Sequence, residues 1–260
     1  MNIDQRLQPT HRPDQQPVGH QRWRNLSFIH WRVPPDALRH LIPDTLEIDT
    51  YDGDAWLGLV PFYMSHVRPW WSPAVPWISN FCETNLRTYV HHRGEKPGVW
   101  FFSLDASRLL PILIARKCWK LNYYWAQMKI HRQQNSIRYT SHRFSKRDPA
   151  SVDLSATIAP EPWVPPPTGY ETSLEFFLVE RYLLYTESAK GLLCGQIHHN
   201  PYPLKLAKVE AMEQSQSDSI GCNMPNVPDH VLFSEGVDVE IFPLNCVDGK
   251  CSQLTDSIKT

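Results

Sequence analysis

The chain has 260 residues, of which 42% are hydrophobic and 20% charged, and its formal net charge is −1. This length is sufficient for one substantial core, and all-β barrels often reach roughly 250 residues as a single domain. The near-neutral charge, without a long basic run interleaved with aromatic residues, argues against a nucleic-acid partner. The longest mostly apolar run, 109–115, is too short to cross a bilayer. We therefore expect a cytoplasmic protein that has no membrane partner.

The composition of the two ends differs from that of the middle. Residues 1–21 are polar and lack the apolar segment of a signal peptide, so we expect a flexible N-terminal arm. No Gly/Ser-rich linker divides the residues that follow, which predicts a single domain over 22–243. Residues 244–260 are expected to form a loose tail.

Three short segments have helical character. Pro35 is suited to open a helix over 34–41, which Pro43 ends. Apolar residues recur at helical spacing over 107–119, and a further short helix is expected over 173–180.

Most of the remaining chain has the alternating pattern of β-strands, separated by turns and proline-rich loops. The predicted strands are 46–50, 55–67, 78–92, 98–105, 121–130, 136–144, 152–159, 182–186, 192–198, 204–212 and 231–241. Short loops and alternation favour an antiparallel sheet, and closure of so many strands into a barrel would hide the sheet edges. The predicted fold class is α+β, mainly β.

The strand over 78–92 has an unusual polar face. Glu83, Asn85, Arg87 and Tyr89 occupy alternate positions, so their side chains should point to the same side of the sheet. A glutamate and an arginine on one face are either a functional pair or a satisfied polar ladder with a structural role.

Three segments of the sequence resemble the acetoacetate decarboxylase family. They are His-Trp-Arg-Val-Pro-Pro-Asp-Ala-Leu at 30–38, Phe-Cys-Glu at 81–83, and the stretch 116–126 that contains Asn-Tyr-Tyr. Further phrases, such as Trp-Leu-Gly-Leu-Val-Pro-Phe at 56–62 and Gly-Val-Trp-Phe-Phe-Ser-Leu-Asp at 98–105, resemble a sister family of uncharacterised proteins, the YqjF-like group. The likeness covers about residues 22–240. It implies an acetoacetate decarboxylase-like closed antiparallel barrel with a central cavity and a few flanking short helices.

The resemblance also implies positions for site residues. The arginine of the decarboxylases falls on Arg32 and their glutamate on Glu83, whereas their imine-forming lysine falls on Tyr123. Their neighbouring lysine, which lowers the pKa of the first by like-charge repulsion, falls on Tyr124. A tyrosine cannot form an imine, so the resemblance argues against decarboxylation of acetoacetate through a Schiff base.

The candidate catalytic residues are therefore Glu83, as acid or base, and Tyr123, as a group that polarises a carbonyl. The candidate substrate-binding residues are Arg32, Arg87 and Tyr124, since arginine is suited to bidentate capture of a carboxylate. The nearby Lys117 and Lys120 are expected to be solvated. The adjacent pairs His91-His92 and His198-His199 would point to opposite faces of a strand, so we predict neither a metal site nor a cofactor.

These residues suggest a small-molecule cavity for an oxo- or hydroxy-acid, so a small anionic metabolite is the expected partner. One hypothesis is a non-covalent acid–base enzyme of the lyase, isomerase or hydratase type. The alternative is a ligand-binding or accessory protein without chemistry, and a third is a residual decarboxylase that uses Lys117 or Lys120. The loop that carries Trp70, Trp71 and Trp77 would also suit a homodimer contact.

Overall fold

The computed structural model describes residues 1–109, 111–113, 119–189 and 191–247, and within them thirteen strands form one sheet. The strands are β1 Gly19–Val33, β2 Glu47–Ile48, β3 Ala55–Pro69, β4 Phe81–His92, β5 Glu95–Ala106, β6 Tyr123–Gln133, β7 Ser136–Arg143, β8 Ser151–Ile158, β9 Leu183–Ser188, β10 Gly191–His198, β11 Leu204–Gln214, β12 His230–Ile241 and β13 Asn245–Cys246. The predominantly β character predicted from the sequence is confirmed.

Three short α-helices have described bounds: α1 Ile3–Leu7, α2 Pro35–Arg39 and α3 Leu174–Val179. Pro35 occupies the first turn of α2, where its missing N–H is tolerated, and the Ser173 hydroxyl accepts a hydrogen bond from the Phe176 backbone at the start of α3. The predicted helices over 34–41 and 173–180 are thus confirmed, with shorter bounds. Of the predicted helix over 107–119, residues 109, 111–113 and 119 are helical, and its other central positions lie outside the described residues.

The strands lie in the order β13-β10-β9-β5-β6-β7-β8-β11-β12-β1-β3-β4-β2, with additional pairings of β10 with β12 and of β4 with β5. Most pairs are antiparallel, but β5 pairs in parallel with both β6 and β9. The expectation of a wholly antiparallel sheet is therefore wrong. The connection over residues 107–122 is long enough for the crossover that parallel neighbours require.

The N-terminal part of the chain differs from its prediction. The expected arm contains α1, and the Arg6 guanidinium forms two 3.0 Å hydrogen bonds to the Asp49 carboxylate. β1, which begins inside the expected arm, pairs with both β3 and β12. The sequence pattern concealed this strand because its pairing with β3 is irregular near Asn25, which has a positive φ of 54°.

The C-terminal end also departs from its prediction. Asn245 and Cys246 pair with β10, so the expected loose tail begins with a short strand. The residues from 248 onward lie outside the described part of the chain. No helix among the described residues has both the length and the apolar character to span a bilayer.

Alternation along the strands sorts the buried side chains into two large clusters. Along β1, Leu26 and Phe28 belong to one cluster, whereas Ile29 and Trp31 belong to the other. Successive side chains of a strand point to opposite faces, so a central strand contributes to both. The cluster that contains Phe28 surrounds the candidate site.

Candidate functional site

The polar face of β4 forms one wall of a pocket. Glu83, Asn85 and Arg87 all line it, as their alternation along the strand predicted. Glu83 lies opposite Phe62 of β3, and Arg87 lies opposite Phe101 of β5. The strand register therefore places a row of three polar side chains between apolar walls.

The pocket has a volume of about 470 Å³. Most of its lining is apolar, and the side chains include Leu26, Phe28, Val60, Phe62, Met64, Val67, Phe81, Val99, Phe101, Leu104, Trp119, Leu121, Leu183, Leu184, Ile197 and Ile241. The polar lining side chains at depth are few, and the described lining residues include no lysine. A mostly apolar concavity with a few convergent polar groups is typical of small-molecule sites.

The two ends of the pocket differ in exposure. At one end it is lined by Pro69, the last residue of β3, and by Pro73 and Val75 of the loop that carries Trp70, Trp71 and Trp77. Pro69, Pro73 and Val75 are all exposed, and we call this end the mouth. At the other end the lining stops at Phe28 and Arg87. The next residues on the same strand faces are the fully buried His30 and Tyr89, which are joined by a 2.8 Å hydrogen bond. We call this pair the floor.

Glu83 and Tyr123 form a hydrogen-bonded pair inside the pocket. Tyr123 is the first residue of β6, and its parallel pairing with Leu104 of β5 brings it beside β4. Its hydroxyl donates a 2.8 Å hydrogen bond to Oε2 of Glu83, and both side chains are buried. The structure thus brings together the two residues that the sequence suggested as catalytic.

Burial alters the protonation of this pair. The pKa of Glu83 is raised to about 8, mainly because burial desolvates the carboxyl group; the hydrogen bond from Tyr123 opposes this rise and the charge of Asp105 adds to it. The pKa of Tyr123 lies well above its usual value because of burial and the neighbouring Glu83. At neutral pH the pair is therefore a neutral carboxylic acid and a neutral phenol, as suits a general acid.

Arg87 is a buried cation without a carboxylate partner among the described residues. Its Nη2 donates a 3.1 Å hydrogen bond to the Leu178 carbonyl, but its Nε has no partner. Its guanidinium lies over the rings of Phe28 and Tyr89. A buried charge without a counter-ion is unfavourable, so an anion bound in the pocket would stabilise this arrangement. The Asn85 Oδ1, on the same wall, also has no hydrogen-bond partner among the described residues.

Arg32 is not brought to this pocket, contrary to the prediction. Its side chain is 53% exposed, its guanidinium forms an ion pair with Asp54 at 3.4 Å, and it lies over the ring of Trp56. It occupies the same face of β1 as Phe28, but it lies two positions beyond His30 and so beyond the floor.

Tyr124 is also outside the pocket, because successive residues of β6 point to opposite faces. Its ring lies over the guanidinium of Arg143, at 4.0 Å from the ring centroid, and Arg143 forms a buried ion pair with Asp105. The predicted substrate-binding role of Tyr124 therefore has no geometric support. Lys120 is exposed, and Lys117 lies outside the described residues.

Two further residues line the pocket that sequence reasoning missed. Tyr202, in the loop between β10 and β11, is buried against Phe28, and its backbone N–H donates a 3.1 Å hydrogen bond to Glu180. Arg181 also lines the pocket but is held by Asp49 at 2.7 Å. Tyr202 lies between two prolines, and no periodic signal marks such a loop position.

The described residues contain no group of three or more His, Cys, Asp or Glu side chains placed to hold a metal ion. The polar side chains of the β4 wall and its neighbour Tyr123 are instead one neutral acid, one amide, one arginine and one phenol. This set is suited to binding an organic anion and to moving a proton, not to multidentate coordination.

The chain belongs to a family of uncharacterised conserved proteins, DUF2071, whose model matches residues 20–238. A relative from Bacillus subtilis (strain 168), the uncharacterized protein YqjF, is 37% identical over 232 residues, which span 89% of this chain and 93% of the relative. The family likeness suggested by the sequence phrases is thereby confirmed.

Solved structures with a similar fold are acetoacetate decarboxylase-like. An acetoacetate decarboxylase-like enzyme from Sphingomonas wittichii RW1 has a TM-score of 0.61 at 10% identity, over 89% of this chain and 93% of that chain. The enduracididine biosynthesis enzyme MppR, in complex with pyruvate, has a TM-score of 0.58 at 13% identity, over 89% and 91% of the two chains. At such identities the likeness establishes the fold alone.

Proposed function

We propose that this protein binds a small oxo- or hydroxy-acid in the pocket and transfers a proton to or from it, without forming a covalent intermediate. The observation that carries the proposal is the buried Glu83–Tyr123 pair on the same pocket wall as Arg87, which has no counter-ion among the described residues. In this proposal the pocket is the central cavity of a closed barrel. The extra pairings of β4 with β5 and of β10 with β12 support such closure.

The roles of the residues follow from their protonation and position. Arg87 would bind the carboxylate of the ligand, because a guanidinium matches a carboxylate in geometry and charge. Glu83, protonated at neutral pH, would donate a proton to the ligand and take one back in the reverse step. Tyr123 would hold the orientation of Glu83 through its hydrogen bond.

Two considerations support an oxo-acid in particular. Oxo-acids combine a carboxylate for Arg87 with a carbonyl that a neutral acid is able to polarise. The fold is also that of MppR, whose solved complex contains pyruvate. An imine route has less support, because a tyrosine stands at the pocket position that the decarboxylase resemblance gives to the lysine.

A proton-exchange experiment tests the proposal whatever the product is. The protein is incubated in D₂O with a panel of oxo- and hydroxy-acids, and proton NMR follows both loss of the signal next to the carbonyl and the appearance of new species. We expect deuterium exchange or turnover with at least one acid, and its loss in Glu83→Gln. Exchange that is unchanged in a folded Glu83→Gln protein would contradict the proposed role of Glu83.

The same panel separates the catalytic proposal from a purely binding protein. Ligand binding should raise the melting temperature by mass action whether or not chemistry occurs. Stabilisation that depends on Arg87, with neither exchange nor product, would identify a ligand-binding or accessory protein. Borohydride treatment in the presence of acetoacetate tests the third hypothesis, a decarboxylase that forms an imine on a lysine. A mass adduct on a lysine would support that mechanism.

Two arginine variants test whether the ligand is an anion bound at Arg87. Arg87→Gln should abolish stabilisation by the acids, because it removes the buried cation. Arg68→Gln is the matched control, since Arg68 also lines the pocket but is half-buried beside the mouth. If both variants bind the acids as the wild type does, the anion site is not in this pocket.

A further inference from the structure

The pocket is larger than the polar groups of a small oxo-acid require. Its volume of about 470 Å³ lies within the range of roughly 300–1,000 Å³ that is usual for drug-sized ligands. Pyruvate has only six non-hydrogen atoms and would leave most of this space to water. The pocket therefore has space for a ligand larger than pyruvate.

The distribution of polar and apolar side chains along the pocket indicates what kind of ligand this is. Glu83, Asn85 and Arg87 follow one another along β4 from the mouth toward the floor. Alternate residues of a strand are spaced by roughly 6.6 Å, so the Cα atom of Arg87 lies about 13 Å deeper than that of Glu83 along the strand. The arginine and glutamate side chains are long enough to reach one ligand across this spacing. The polar side chains of β4 thus run down one wall of the pocket.

Apolar side chains make up most of the remaining lining from the deep end to the mouth. Val60, Phe62 and Met64 of β3 follow the same direction on the neighbouring strand, and Val67 continues the row toward the mouth. Water in such a space finds few hydrogen-bond partners, whereas an apolar group displaces it favourably. The apolar row therefore favours a hydrocarbon or aromatic body.

We infer that the ligand is an amphipathic acid, namely an oxo- or hydroxy-acid that carries an apolar chain or ring several carbons long. Its carboxylate is bound by Arg87 near the floor, its oxygen-bearing carbon lies beside Asn85 and Glu83, and its apolar body extends along Val60, Phe62 and Met64 toward the mouth. This inference rests on the proposed function and names the substrate class.

The orientation follows from a comparison of the two arginines of the pocket that have no carboxylate partner among the described residues. Arg87 is 8% exposed, and its Nε is unpartnered. Arg68, beside the mouth, is half-buried, and its Nη1 lies near the carbonyls of Trp70 and Ser72 at 3.4 and 3.5 Å. The desolvated cation gains more from a carboxylate than the hydrated one does, so the head of the ligand lies deep.

The test is a chain-length series on the wild-type protein. Affinities are measured by calorimetry for pyruvate and for its linear homologues of about six, eight and ten carbons. Burial of each additional methylene should tighten binding roughly three- to fourfold until the chain reaches the mouth. A ten-carbon primary alcohol serves as the probe without a carboxylate and should bind far more weakly than the ten-carbon acid.

Two pairs of variants locate the head and the tail. Arg87→Gln should weaken the binding of all the acids by at least tenfold. Arg68→Gln should change their affinities little. Val67→Trp narrows the pocket beside the mouth. It should therefore remove the additional affinity of the longest acids and leave the affinity for pyruvate unchanged. Val227→Trp is the matched control, because Val227 is 79% exposed and outside the pocket lining.

The outcomes distinguish this inference from the proposal on which it rests. If all acids of the series bind with equal affinity and this binding is lost in Arg87→Gln, the inference of an amphipathic ligand is wrong. The proposed anion site at Arg87 would remain supported. A larger loss in Arg68→Gln than in Arg87→Gln would overturn the orientation. Absence of binding by any acid, or equal binding of the alcohol and the acid, would overturn both the inference and the proposed function.

Discussion

Glu83 and Asp105 are buried carboxyl groups on neighbouring strands, and they have opposite environments. Glu83 faces the pocket, and its carboxyl group accepts a hydrogen bond from the Tyr123 hydroxyl. Asp105 pairs in register with Thr84, the residue after Glu83, and faces the other side of the sheet. There it accepts hydrogen bonds from Arg143 at 2.7 Å and from Gln216 at 2.8 Å.

The protonation of the two groups differs accordingly. Burial raises both pKa values, to about 8 for Glu83 and to about 6 for Asp105, where Arg143 opposes the rise. At neutral pH the first is a neutral acid, and the second is one half of an ion pair. The comparison shows that one sheet supports an ionised carboxylate and a protonated carboxylic acid side by side, because the strand alternation assigns each a different face.

The largest effect is expected from breaking the ion pair. Arg143→Met should destabilise the protein by about 3–5 kcal/mol, because it leaves Asp105 buried without its cation. Urea unfolding monitored by tryptophan fluorescence measures this. The double variant with Asp105→Asn should recover part of the loss, and a cost below about 1 kcal/mol for Arg143→Met would mean that the pair is not structural.

Glu83→Gln should act on the pH dependence of stability. The folded pKa of about 8 exceeds the ordinary value of 4.5, so the folded state binds more protons than the unfolded state between these values. Wild-type stability should therefore fall as pH rises from about 5 to about 8, and the glutamine variant should lack this fall. The difference should reach about 3 kcal/mol across that range, from about 1.4 kcal/mol per pH unit.

Unfolding midpoints at several pH values provide that measurement. Glu213→Gln is the control, since it removes an exposed carboxyl outside the pocket lining and leaves the pocket acid in place. If wild type and Glu83→Gln follow parallel stability curves from pH 5 to 8, the pKa of Glu83 is not raised.

Tyr123→Phe should have an intermediate effect. It removes the 2.8 Å hydrogen bond to Glu83, which should cost about 1–2 kcal/mol of stability. That hydrogen bond lowers the pKa of Glu83, so its loss should raise the pKa of the carboxyl still further. The carboxyl stretching band in difference infrared spectra would report the shift, and a lower pKa in the variant would contradict the assigned direction.

Tyr124→Phe should have the smallest effect and is the matched control for Tyr123→Phe. The Tyr124 hydroxyl lies 3.3 Å from Asn122 Nδ2 on the other face of β6, and the side chain is partly exposed. We expect a change in stability within about 0.5 kcal/mol and unaltered ligand binding. A loss of binding as large as that of Tyr123→Phe would show that the two faces are not independent.

The sequence indicated parts of this site to different degrees. The alternation of Glu83, Asn85 and Arg87 was readable because strand periodicity needs no knowledge of the partner strands. Tyr123 came from the decarboxylase resemblance and not from any local pattern. Arg32 was misplaced because a motif gives a position along a strand but not where the pocket ends.

Elements with regular pairing were predicted well, whereas β1 was not. Its irregular pairing near Asn25 and its polar residues 20–22 obscured a strand that joins β3 and β12. The parallel pairing of β5 with β6 was also hidden, since strand direction depends on the course of the connecting segment. Long-range pairing of this kind leaves no signature in local composition.

The floor of the pocket has a consequence for the order of molecular events. His30 and Tyr89 close that end, and a Cβ added at Gly58 would lie only 3.1–3.3 Å from their side chains, so the packing there leaves no exit through the floor. A ligand that enters at the mouth then leaves by the mouth and not through the floor. One ligand must dissociate before the next one binds. A product that retains the carboxylate would therefore compete with substrate for the same binding site. Under the proposed function, we therefore expect competitive inhibition by such products and turnover limited by product release.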